Sequence, residues 1–178
     1  LLTGVGDLCK TLKALKKRAY MPKEDIWYSD KIYYLQRHIL DIAHSPDYPR
    51  PLDTVCALAA LIYCGHCLRD VPLTFTAISN GVTRLKPAIE RYEREHNWIQ
   101  DRDLARKMLW ILAFGGVCAE GKPEREWFAT KFWVASGQLQ LKDWESAKEI
   151  LDAILWQPEL DDGGIRLWTE AHEWEGEF

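Results

Sequence analysis

The sequence predicts an all-α protein, a compact helical domain of roughly seven or eight antiparallel helices filling residues 1–178. Three observations predict it. Apolar residues recur at the three- and four-residue spacing of a helix face along most of the chain. No segment sustains the two-residue alternation of a half-buried strand, and no Asn-Gly or Asp-Gly pair is flanked by β-branched runs. The composition, 47% apolar and 28% charged without long Ser, Gly, Pro or Gln tracts, suits a soluble globular chain whose 178 residues can bury a substantial core.

Val5, Leu8, Leu12, Leu15 and Ala19 line one side of a first amphipathic helix, with Lys10, Lys13, Lys16, Lys17 and Arg18 on its other faces. This basic face reads as solvated, with nucleic-acid contact or an import signal as alternatives. A second helix is expected from near Ser29 to Ala43, carrying Ile32, Leu35, Ile39 and Ile42, and stopped by the Ser-Pro and Tyr-Pro steps that follow. In "LDTVCALAALIYCGHCL", residues 52–68, thirteen of seventeen residues are apolar and no face is polar, which marks a buried central helix rather than a membrane span. After "RDVPL", the positions Val82, Leu85, Ile89, Tyr92 and His96 give another helix. Ser79 is a candidate cap, and Pro87 is either a kink or a first-turn residue.

Asp101 is the expected N-cap of an apolar helix running to Cys118, in which Gly115 and Gly116 either end the helix or let a neighbour's backbone come close. Pro123, followed by Glu124 and Glu126, opens a helix with Trp127, Phe128, Phe132, Trp133 and Ala135. Asp143 caps the next, with Trp144, Ala147, Leu151, Ile154 and Leu155 on its apolar side. The tail reads as a terminal helix docking Leu167, Trp168 and Ala171, and its mixture of Trp174 and Phe178 with Glu170, Glu173, Glu175 and Glu177 also resembles an acidic activation segment.

Chemistry is sparse. The net charge of −4 argues against wholesale phosphate binding. Cys9, Cys56, Cys64, Cys67 and Cys118 are odd in number and scattered, which fits a reducing compartment rather than a disulfide framework. In "YCGHCL", Cys64 and Cys67 fall one helical turn apart, but no second Cys-x-x-Cys supplies the other ligands of a zinc site and no βαβ pattern supports a redox pair. Both read as buried packing residues. His38, His44, His66, His96 and His172 are dispersed, and no G-x-S-x-G, P-loop or H-E-x-x-H is present. No catalytic residue, metal ligand or cofactor is therefore expected. Nine tryptophans are the compositional oddity, eight of them at or after Trp98. Trp110, Phe114, Trp127 and Trp133 are the candidate ligand-binding residues of an aromatic pocket, with a solid aromatic core as the competing reading.

The segment "KMLWILAFGGVCAEGKPEREWFATKF", followed by "LKDWESAKEILDAILWQPELDDGGIRLW", resembles the C-terminal fungal-specific transcription factor domain of binuclear zinc cluster regulators. "LAALIYCGHCLRDVPLTF" is similar to that family's apolar helix followed by an Arg and Pro turn, so the likeness covers about residues 30 to 170. It implies a non-catalytic nuclear regulatory region. The expected partner is a transcriptional coregulator or a small-molecule inducer, with a homodimer as a further expectation. The zinc cluster's cysteines are absent, and neither direct nucleic-acid contact nor a membrane is expected of these residues. Starting at Leu1 without a methionine, the chain reads as a piece of a longer one.

Overall fold

Periodic apolar faces and well-placed caps yield seven α-helices and no strand among the described residues, which are 26–44, 51–69 and 71–173 of the computed structural model. The expected basic helix around Leu8 and Leu12, with Cys9, and the end of the tail from Trp174 to Phe178 lie outside them. Contacts divide the chain into two units, one up to Tyr92 and one from Glu93.

In the first unit, α1 (Ile26–His44) buries Ile32, Leu35 and Ile39, spaced at helical intervals, and packs on α2 (Pro51–Tyr63). Pro51 starts α2 where a missing N–H costs nothing, and Val55, Leu58, Ala59, Ile62 and Tyr63 are buried. The expected continuous helix through residue 68 instead widens into a π-helical turn, Cys64–Leu68. By length and composition Pro51–Leu68 is apolar enough to cross a membrane, and 67% of it is buried within the protein.

α3 (Thr76–Glu95) starts ahead of the suggested Ser79 cap and continues through Pro87, whose ring removes one internal hydrogen bond. Its stripe of Ile78, Val82, Leu85, Ile89 and Tyr92 is buried. Two glycines let α3 approach α2 and the π turn closely. A β-carbon on Gly65 would stand 2.7 Å from Ile78 Cδ1, and one on Gly81 would stand 2.7 Å from Ile62 Cγ1. Each isoleucine thus occupies the space that a side chain would otherwise fill.

The second unit centres on α4 (Arg102–Cys118), packed against α5 (Arg125–Gln138), α6 (Trp144–Ile154) and α7 (Asp161–Glu173). Asp101 caps α4 as expected, its carboxylate accepting from the amides of Asp103 and Leu104 at 3.0 and 3.1 Å. Asp143 does the same for α6 through the Ser146 amide at 2.8 Å. Gly115 and Gly116 lie inside α4, not at its end, and a β-carbon on Gly116 would meet Leu167 of α7 at 2.7 Å. Pro123 and Glu124 precede α5, which begins at Arg125. The docked terminal helix is as expected, with Leu167 and Ala171 of α7 buried.

Candidate functional site

A cleft of about 330 Å³ lies within the first unit, a size within the range of small-molecule sites. Its floor is apolar. Leu58, Leu61 and Ile62 come from α2, and Ile78 comes from α3. Phe75, 56% exposed, stands in the turn that precedes α3. Along α3, Ala77, Asn80, Gly81 and Arg84 recur at three- and four-residue steps and so form a second stripe beside the buried one. Gln36 of α1 and Arg69, just beyond the π turn, complete the polar lining.

The segment bearing Arg69 is tied down by its neighbours. Val71 donates its amide hydrogen to the Gly65 carbonyl at 3.1 Å. The Nδ1 of His66 lies 2.9 Å from the Val71 carbonyl, and since a carbonyl only accepts, that nitrogen carries the proton. The His66 ring is therefore committed to closing a loop. Arg69 and Arg84 are both exposed and neither is paired with a carboxylate among the described residues. The cleft thus combines an apolar floor, two uncompensated positive charges and two side-chain amides. Among the described residues it is lined by no carboxylate, histidine, cysteine or hydroxyl.

The residues of "YCGHCL" do not act as a pair. A turn closed five residues on is wider than an α turn, so residues three apart no longer stack. Cys64 is fully buried while Cys67 is half-buried. Burial pushes the Cys64 thiol up to about 12, against a smaller opposing pull from the Arg69 charge, which leaves it protonated and unreactive at neutral pH. Complete burial raises Cys118 as well. The four described cysteines are thiols, and no group of three or more His, Cys, Asp or Glu side chains is arranged to hold a metal among the described residues.

The four aromatic candidates take different surroundings. Trp110 and Phe114 do face together, their rings stacked with centroids 5.7 Å apart, and the Trp110 indole donates to the Leu155 carbonyl. Both are core residues. Trp127 is half-buried, edge-on to Phe128 at 5.0 Å and with the Lys131 ammonium 5.8 Å from its ring. Trp133 is 41% exposed whereas Phe114 is 0% exposed, so these two side chains do not share one enclosed surface. None of the four lines the cleft.

The second unit's polar groups are spent on packing. Arg125 donates to the Gly116 carbonyl at 2.7 Å and holds Glu170 through both Nε and Nη2, at 2.6 and 2.9 Å, tying α5 to α4 and α7. Lys131 pairs with Glu93 at 2.7 Å, and Glu93 also accepts from the Trp98 indole at 3.0 Å. Asp161 takes the Trp156 indole at 2.9 Å and the Lys148 ammonium. One buried polar atom stands apart among the described residues: Asp53, 9% exposed in the first turn of α2, has an Oδ2 without a hydrogen-bond partner.

Sequence reasoning singled out the "RDVPL" turn but gave Arg69 no role, and it passed over Gln36, Asn80 and Arg84. In the sequence these are ordinary surface positions, and only the fold brings them to one cleft. Comparison with protein-family models, with curated proteins and with solved structures gives no match to the chain.

Proposed function

We propose that the chain is a non-catalytic regulatory domain of the fungal transcription factor type, which changes transcription by binding a small molecule in the cleft of its first unit. The observation that carries this reading is the cleft's lining. It has the size and apolar floor to hold a ligand, and no side chain among its described residues could attack a substrate or transfer a proton at neutral pH. The resemblance of residues 30 to 170 to nuclear regulatory regions supports the same reading. Control requires the ligand to prefer one helix arrangement over another, and a cleft between α1, α2 and α3 offers contacts that depend on that arrangement.

The test is a fusion to a heterologous DNA-binding domain, read by a reporter gene. The fusion is expected to give an output different from that of the DNA-binding domain alone, and Ala77→Trp, an exposed position on the cleft wall, is expected to change it. An output equal to that of the bare DNA-binding domain would overturn the reading. A second reading, a protein-interaction or dimerisation module, is favoured by Tyr33, Tyr34 and Leu40, which are exposed on α1. Concentration-dependent association in sedimentation runs, lost on changing both tyrosines to serine, is its expected signature.

A further inference from the structure

We infer that the cleft of the first unit selects an amphipathic carboxylate, a short fatty acid or an aromatic acid of similar length, over neutral and cationic molecules of the same shape. The inference rests on the cleft being a ligand site, as proposed above, and adds the chemical class. Two features of the lining point to it. Leu58, Leu61, Ile62 and Ile78 offer a surface that hydrocarbon fills and water wets poorly, which sets the body of the ligand. Arg69 and Arg84 set its head. They approach from different elements, and among the described residues neither is neutralised by a carboxylate and the cleft lining contributes no negative charge. Planar guanidinium groups match a carboxylate in geometry as well as sign. Gln36 and Asn80 supply amide N–H donors for a head group that has only acceptors. A cationic ligand would meet two like charges, and a neutral one would leave both arginines to water.

Isothermal titration of the full chain with decanoate, decanol and decylamine tests the class. Decanoate is expected to bind most tightly. Each methylene added from hexanoate to decanoate should tighten binding about four-fold, the equivalent of ~0.8 kcal/mol per buried CH₂. Removing either charge, in Arg69→Gln or Arg84→Gln, should weaken decanoate about five-fold and leave decanol unchanged, because exposed ion pairs contribute up to about 1 kcal/mol each. Ala77→Trp should abolish both, with unchanged circular dichroism showing that the fold is kept. Equal affinity for decanoate and decanol, blocked by Ala77→Trp, would overturn the carboxylate inference and leave the cleft standing as a ligand site. Binding of decanoate that Ala77→Trp does not reduce would place the acid elsewhere and overturn the inference. Absence of heat with all three probes would overturn the inference and remove the cleft from the proposed function, which the reporter assay would then judge alone.

Discussion

At the scale of single residues, burial decides more of this protein's chemistry than residue type does. Cys64 shows how. In the unfolded chain its thiol ionises near the ordinary value of 9.0, while in the folded chain burial holds the proton up to about 12. Between those values the unfolded state has lost a proton that the folded state keeps, so stability falls as pH rises, by about 1.4 kcal/mol per pH unit for one such thiol. Urea unfolding from pH 9 upward is expected to show a shallower decline for Cys64→Ala than for the wild type. The same burial predicts that Cys64 and Cys118 resist Ellman's reagent until the protein unfolds. Gly164 makes a steric counterpart. A β-carbon there would stand 2.2 Å from Cη2 of Trp144, a buried ring already packed edge-on against Trp156. Gly164→Ala should therefore cost about 1–3 kcal/mol in a urea melt, since overpacking cannot be relieved by turning a side chain that is itself wedged. Leu167, which faces Gly116, is a flexible chain and would yield more easily.

At the scale of elements, helix starts and buried faces were legible because each is a local property. Asp101 and Asp143 cap α4 and α6 where short polar side chains preceding apolar runs predict them, and the docked faces of α1, α3 and α7 follow their periodicity. Asp101→Ala is accordingly expected to destabilise the protein by about 1 kcal/mol, measurable as a lowered urea midpoint with unchanged slope. What escaped the sequence depends on hydrogen-bond register and on distant neighbours. Nothing in "CGHCL" says that the chain will close five residues on rather than four, and in this turn Cys64 is buried while Cys67 is only half-buried. Gly115 and Gly116 carry the same local signal whether a helix stops or a leucine from α7 nestles against it. Pro87 stays inside α3 despite its cost because the stripe from Ile78 to Tyr92 is buried on both sides of it. The i, i+4 spacing of Trp110 and Phe114 correctly announced that the two rings would face together. It carried no information on whether the pair would line a void or fill one.

At the scale of the molecule, the chain sorts its roles between its two units. The first holds the cleft, whose lining residues are drawn from α1, α2, the π turn and α3 and span Gln36 to Arg84. No local motif could have announced a site assembled from positions that far apart. The second unit contains the Arg125 clamp and a core with Trp98, Phe114, Phe128, Phe132 and Trp156 among its fully buried side chains. A core of that kind within one unit predicts independent folding. Residues 93–178 expressed alone are expected to give a helical circular dichroism spectrum and a cooperative melt, whereas a gradual, non-cooperative loss of helix would show that the second unit depends on the first.

This division of aromatic residues has a practical side. Of the nine tryptophans only Trp27 precedes Trp98, so intrinsic indole emission is weighted overwhelmingly toward the second unit. No tryptophan is among the cleft's described lining residues, so tryptophan quenching is an indirect readout for a molecule entering it. Label-free calorimetry watches the half of the chain where the signal would arise.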